Sequence, residues 1–185
     1  MNDVRSRRLD KEWELLAMLA EHNPNGLKVL QRDVQLDAEV FQIALHRTSA
    51  LRIGSPPSLL VSASHRVSLR YPEYFPSVPI EAFLGTPVFH PNVHPENGFV
   101  CLWSTFSTGD TIVEAIRQLQ RVIAWELLNH RPEHVMQPSA LQWVPDVPLP
   151  LAYQPLLVPV DLQIERTYGQ RRDGSWRRRL SREES

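Results

Sequence analysis

Residues 71–103 read YPEYFPSVPIEAFLGTPVFHPNVHPENGFVCLW, and the rest of the chain is best read outward from them. They hold the only cysteine of the 185-residue protein, Cys101. Ahead of it lie a proline-rich approach (Pro72, Pro76, Pro79, Pro87), the tripeptide His90-Pro91-Asn92, and Gly98, three residues before the thiol. A lone cysteine is most often a small buried hydrophobe. This one follows an irregular polar loop, where catalytic groups tend to be carried on a rigid scaffold. Pro91 and Pro95 stiffen the approach, and Gly98 allows close packing or a left-handed backbone beside the sulfur. Asn92 is near enough in sequence for a loop to bring its amide alongside the thiol.

Two familiar uses of such a cysteine fit poorly. A papain-like nucleophile needs a paired histidine as base, and His90, His94 and His134 are available, but none sits in a protease-type signature. Zinc held by Cys101, His90 and His94 would use an H-x3-H spacing, yet one thiol and two proline interruptions make a poor tetrahedral cage. No metal site is expected.

On either side the pattern is of strands between helices. Residues 4–20 carry Leu9, Trp13, Leu16 and Ala20 at helical spacing, widened by Leu15 and Leu19. Arg5, Arg7, Arg8 and Lys11 crowd the first half of that helix, where cations oppose the dipole. They are either solvated or turned toward an acidic partner. Asn23-Pro24-Asn25-Gly26 ends the helix. Leu27, Val29 and Gln31 share one face of a first strand, and Phe41, Ile43 and Leu45 alternate in a second. Residues 48–64 are ambiguous, with a turn at Gly54-Ser55-Pro56-Pro57; Val67, Leu69 and Tyr71 then alternate, and Pro79–Leu84 makes a fourth strand. Connections too short for helices indicate an antiparallel meander. After the cysteine loop, Asp110 or Thr111 can cap a helix with the stripe Ile112, Ile116, Leu119, Ile123 and Leu127, ended by Arg131-Pro132. A short helix is expected over residues 138–144. Residues 145–159 are proline-rich but apolar enough to pack along the domain, and residues 158–180 suit a β-hairpin whose turn and outer strand carry Arg171, Arg172, Arg177, Arg178 and Arg179. The expected division is a domain over residues 1–144 and an extension over residues 145–185.

Composition narrows the class. The chain is 42% hydrophobic and 22% charged with net charge −1, so no global field favours nucleic acid or anionic membrane. It has no apolar run long enough to span a bilayer and no signal-like hydrophobic region in MNDVRSRRLDKEW, so a cytoplasmic protein with a reduced thiol is expected. Lys11 and Lys28 are the only lysines among 20 basic Lys and Arg residues. A GC-rich genome would account for that bias, as would the advantage of few amines in a protein that carries an amine-reactive thioester. Either way it leans toward a bacterial source.

The stretch resembles the core of the ubiquitin-conjugating enzymes: Tyr71-Pro72, Tyr74-Phe75-Pro76 and Val78-Pro79, then Phe89-His90-Pro91-Asn92-Val93, then Gly98-Phe99-Val100-Cys101-Leu102. The resemblance covers about residues 4–144. It implies an α+β fold with an N-terminal helix, a four-stranded antiparallel meander, a cysteine loop, a long helix and a short one. It implies that Cys101 takes a ubiquitin-like C-terminus as a thioester from an activating enzyme and passes it to an amine, usually lysine, of a target protein. Asn92 would stabilise the oxyanion or hold the loop. His90 would brace the loop through backbone hydrogen bonds, Pro91 would fix its turn, and Gly98 would help brace it. No cofactor is needed, since ATP is used by the activating enzyme. The sequence departs from the family at three places. One residue is inserted between Asn92 and Gly98, Trp103 replaces a common Asp, and Phe106–Thr111 replaces the usual Trp-Ser-Pro of the ligase-docking loop. The acid that activates the incoming lysine has no clear equivalent; Glu133, Asp110 and His134 are candidates. Arg5, Arg7, Arg8 and Lys11 would engage an acidic face of the activating enzyme. Such bacterial members resemble parts of antiphage defence operons. The alternative is a non-catalytic module of the same fold that binds a ubiquitin-like protein or an activating enzyme, although modules of that kind lack the cysteine.

Overall fold

The computed structural model describes residues 2–35, 38–53, 59–142 and 151–160. The proposed end of the short helix (Trp143 and Val144), the first part of the extension and almost all of the arginine-rich hairpin lie outside the described residues.

Helix α1 (Asn2–Glu21) leads into an antiparallel sheet in simple sequence order: β1 (Leu27–Gln35), β2 (Ala38–Ile53), β3 (Leu59–Tyr71), β4 (Glu81–Leu84) and β5 (Phe99–Val100). The meander therefore has five strands where the sequence pattern predicts four. The fifth is two residues long and pairs Ala82 with Val100 and Phe83 with Phe99, too short to show a period-2 signal. The long ladder is β2 on β3, with Phe41 opposite Leu69, Ile43 opposite Val67 and Leu45 opposite His65. These apolar side chains, with Tyr71, are fully buried beneath the helices. The ambiguous segment before residue 64 is strand: β2 runs through to Ile53 and β3 begins at Leu59. A register shift between His46 and Ala50, with Arg47 at φ 53°, breaks the ladder. There Ser49 donates to the Ala152 carbonyl and Gln154 donates to that of Arg47, so residues 152–154 lie against β2. Leu156 is buried close by, and Asn23 exchanges hydrogen bonds with the backbone of Leu157.

Helix α2 (Ile112–Ile123) buries Ile112, Ile116, Leu119 and Ile123 along one face. Thr111 is its N-cap in a reciprocal capping box with Glu114. Asp110 instead accepts from the Ser107 amide. The start of α2 is also tied to α1: the Ile112 amide donates to Glu12 at 2.6 Å, and Glu12 is wholly buried. Burial pushes the Glu12 carboxyl up to about 7, against the pull of the Arg8 guanidinium 2.9 Å away.

The end of α2 corrects the sequence expectation. It stops at Ile123, eight residues short of Arg131, in a left-handed turn at Trp125 (φ 62°). The amides of Glu126 and Leu127 both return to the Arg121 carbonyl. Such turns are normally signalled by glycine, and here a tryptophan takes the position because its ring is anchored elsewhere. Its Nε1 donates to the Phe89 carbonyl at 3.2 Å, and its ring stands edge-on to His90 at 4.9 Å. The early stop turns residues 126–137 into an irregular flap that passes over the cysteine loop, carrying one turn of 3-10 helix (Pro132–His134), before α3 (Pro138–Gln142).

Candidate functional site around Cys101

The cysteine loop is a closed turn. His94 donates to the Phe99 carbonyl, Gly98 to the His94 carbonyl, and Val93 bridges Val100. The His94 Nδ1 accepts from the Glu96 and Asn97 amides, which tightens the tip. Gly98 has φ +71°, and a Cβ there would lie 2.1 Å from the Leu84 carbonyl oxygen. Only glycine allows that approach, which also lets Leu84 donate to the Gly98 carbonyl at 2.8 Å. The segment from Asn92 to Gly98 is thus taken up in this turn. Asn92 and Cys101 meet across it, Cys101 donating to the Asn92 carbonyl at 2.9 Å.

The flap is stitched to this loop by hydrogen bonds that end mainly on backbone. Asn92 is 1% exposed; its Nδ2 donates to the carbonyls of Asn129 (2.8 Å) and His134 (2.9 Å), and its Oδ1 accepts from the Asn129 amide (2.9 Å). Both side-chain donors are therefore engaged in holding the flap. The Pro91 carbonyl accepts from the amides of Met136 and Gln137, and the buried Gln137 side chain donates to the carbonyls of Val88 and Val93. His90 is fully buried; its Nδ1 accepts from the Asn92 amide at 3.1 Å. Burial drives its pKa down to about 3, so its imidazole is neutral at physiological pH and suited to bracing rather than to proton transfer.

The flap in turn brings a side chain to the thiol. The His134 Nδ1 lies 2.8 Å from the Cys101 Sγ. Both residues are half-buried, so the contact is open to a reactant. Burial pushes the thiol above its ordinary range, with the Trp103 backbone pulling the other way. The Trp103 indole donates to the Ile80 carbonyl at 2.8 Å and fixes the chain just after the cysteine. Of the three candidates for activating an acceptor amine, Asp110 is engaged at the start of α2, Glu133 is exposed, and His134 is the one that touches the thiol. Among the described residues, no group of three His, Cys, Asp or Glu side chains is arranged to hold a metal ion.

The basic residues of α1 divide. Arg5 donates to the carbonyls of Tyr71 and Pro72, and Arg8 donates to that of Asp110, stands over the Phe75 ring and pairs with Glu12. Arg7 and Lys11 lie exposed on the same helix and also interact within the chain. The Phe75-Pro76 turn and the Phe106–Asp110 loop line one small cleft with Trp103 and Ile80.

No known family matches the chain by sequence, and no curated protein does. The fold is similar to that of a solved Trypanosoma cruzi protein described as a ubiquitin-conjugating enzyme. The likeness has a TM-score of 0.50 and 17% identity, covering 76% of this chain and 91% of that one. The chain thus has an α+β fold of the ubiquitin-conjugating kind. The sheet of five strands and the placement of His134 are features of this chain. Sequence patterns do not mark Asn129, His134 and Gln137 as flap anchors, because Asn129 and His134 meet Asn92 through their own backbone groups and the Gln137 side chain reaches backbone carbonyls. No helix among the described residues is long and apolar enough to cross a membrane.

Proposed function

We propose that the protein is a conjugating enzyme that accepts a ubiquitin-like modifier as a thioester on Cys101 from an activating enzyme and passes it to a lysine amine of a target protein. The observation that carries this is the half-exposed Cys101, locked by its own amide to Asn92 in a His-Pro-Asn loop on a conjugating-type fold. In this reading Asn92 acts chiefly by holding the flap over the thiol. His90, Pro91 and Gly98 keep the loop in register. The chemistry is acyl exchange between sulfur and nitrogen and draws on no metal or organic cofactor of this chain, since ATP is spent on the activating enzyme.

The same reading places the protein in a reducing cytoplasm. The scarcity of lysine and the divergent 106–111 loop fit a bacterial member of an antiphage conjugation system, which the neighbouring genes would test. Of the α1 basic residues Arg5, Arg7, Arg8 and Lys11, Arg7 and Lys11 are the more exposed and would meet an acidic face of the activating enzyme. Reversing both to Glu is expected to slow loading, more at low salt than at high.

The deciding assay uses the purified chain with ATP and with the activating enzyme and modifier of its own genome. A thiol-sensitive adduct should form on the wild type, become thiol-resistant in Cys101→Ser, and be absent in Cys101→Ala. If wild type gives no adduct while the activating enzyme itself is charged, the reading fails. A binding-only module would then remain.

A further inference from the structure

We infer that His134 is the proton acceptor for Cys101, so that the thiol and this imidazole work as a dyad. The inference deepens the proposed acyl transfer and rests on that reading for its biological substrate, though not for its chemistry. Three observations converge on it. The His134 Nδ1 and the Cys101 Sγ are 2.8 Å apart, within reach for direct proton transfer. The flap that carries His134 is fixed from beneath by Asn92, itself 1% exposed, whose Nδ2 donates to the His134 carbonyl. And Asn92 also receives the Cys101 amide on its own carbonyl, so one buried residue holds both members of the pair.

The state of the thiol makes such a base useful. Burial favours the neutral thiol, which is a poor nucleophile. An S–H aimed at Nδ1 requires the ring proton on Nε2, leaving Nδ1 free to accept. On loading, Sγ attacks the thioester carbonyl as its proton passes to Nδ1, and a new carbon–sulfur bond forms. The bond to the donor's sulfur breaks, and the departing thiolate takes the proton back from the imidazolium. On discharge a neutral amine attacks the Cys101 thioester and gives up a proton to Nδ1. The carbon–sulfur bond to Cys101 breaks, and that proton returns to Sγ. His134 thus takes up one proton and returns it in each half-reaction. His90 cannot substitute, since it is buried and its Nδ1 is engaged with the Asn92 amide.

The test uses a small acyl donor, the thioester of N-acetyl-glycyl-glycine with mercaptoethanesulfonate, and follows acylation of Cys101 by intact mass. His134→Asn places an amide where Nδ1 lies, keeps the backbone carbonyl that Asn92 holds, and removes the base. Acylation near neutral pH is expected to slow by roughly 10²-fold. In His134→Ala, added imidazole should restore part of the rate. Alkylation by iodoacetamide should slow with the same variants near neutrality and converge with wild type in strong alkali, where hydroxide removes the thiol proton. If His134→Asn is acylated and alkylated at the wild-type rate, the dyad is wrong, whatever loading from an activating enzyme shows. If acylation depends on His134 but no activating enzyme ever charges Cys101, the dyad stands and the conjugation reading falls.

Discussion

Replacing Asn92 with Ala separates two roles that a carboxamide beside a thioester can have. In the structure it makes three hydrogen bonds, to the Asn129 carbonyl at 2.8 Å, the His134 carbonyl at 2.9 Å and the Asn129 amide at 2.9 Å. Each is worth about 1 kcal/mol net, and more where the abandoned backbone group stays out of water. The expected loss is therefore about 3 kcal/mol, a large share of the stability of an ordinary domain. With a urea dependence of about 2 kcal/mol per molar, the unfolding midpoint should fall by about 1.5 M. Part of the loss will appear as local release of the flap, read as faster amide exchange at Asn129. Asn92→Asp should be at least as damaging, because it keeps an acceptor for the Asn129 amide but turns a second acceptor toward two carbonyls. Acylation of Cys101 should drop in step with these changes, since His134 travels with the flap. The reasoning is refuted if Asn92→Ala unfolds within about 0.5 kcal/mol of wild type while thioester formation collapses. The amide would then be serving the oxyanion, and its bonds to the flap would carry little energy.

Gly98→Ala should cost at least about 2 kcal/mol in chemical denaturation or leave the protein insoluble, because a left-handed backbone and a Cβ 2.1 Å from the Leu84 carbonyl oxygen cannot both be relieved. Glu12 predicts a pH dependence. Its folded pKa of about 7 lies above its ordinary 4.5, so the folded chain binds the proton more tightly. The stability contributed by this group is full below the ordinary value and is lost as pH rises through about 7. Thermal unfolding across that window should show Glu12→Gln gaining on wild type toward high pH; parallel curves would refute it. At Trp125, Ala should destabilise by about 2 kcal/mol through the lost ring contacts. Trp125→Gly should be more stable than Trp125→Ala by about 1 kcal/mol, the reverse of helix propensity, because the backbone there is left-handed; the opposite order would refute this.

Much of the scaffold was legible because it is written in side chains. Phe41, Ile43 and Leu45 against Val67 and Leu69 announce two strands of one sheet, and Ile112, Ile116, Leu119 and Ile123 announce a helix over it. The loop motif suggests the Asn92 amide alongside the Cys101 sulfur; the structure instead joins the two residues by a backbone bond and gives the Asn92 side chain to the flap. What was not legible has specific causes. Trp125 occupies a turn that glycine normally marks, so the apolar stripe reads on through Leu127 and hides the flap inside a helix. Glu12 reads as one more charge on a basic helix, and nothing local shows that it reaches the Ile112 amide a hundred residues away. Arg5 and Arg8 read as surface cations, yet they cap carbonyls of the proline-rich turn and the loop before α2.

The flap explains why the acceptor-activating group could not be assigned from sequence. Asn92 grips it through the backbone of Asn129 and His134, and the Pro91 carbonyl takes the amides of Met136 and Gln137. Those contacts do not depend on which side chains the flap carries at 129, 134 and 136. Its path is therefore fixed by Asn92, Pro91 and the Gln137 side chain, while the residue presented to the thiol is set independently at position 134. A histidine there supplies a base to the sulfur, which a carboxylate on the neighbouring Glu133 does not do from its exposed position. Exchanging the two, as His134→Glu with Glu133→His, should leave the unfolding midpoint nearly unchanged and still slow acylation of Cys101. If stability falls with the rate, the side chain and the path of the flap are coupled after all.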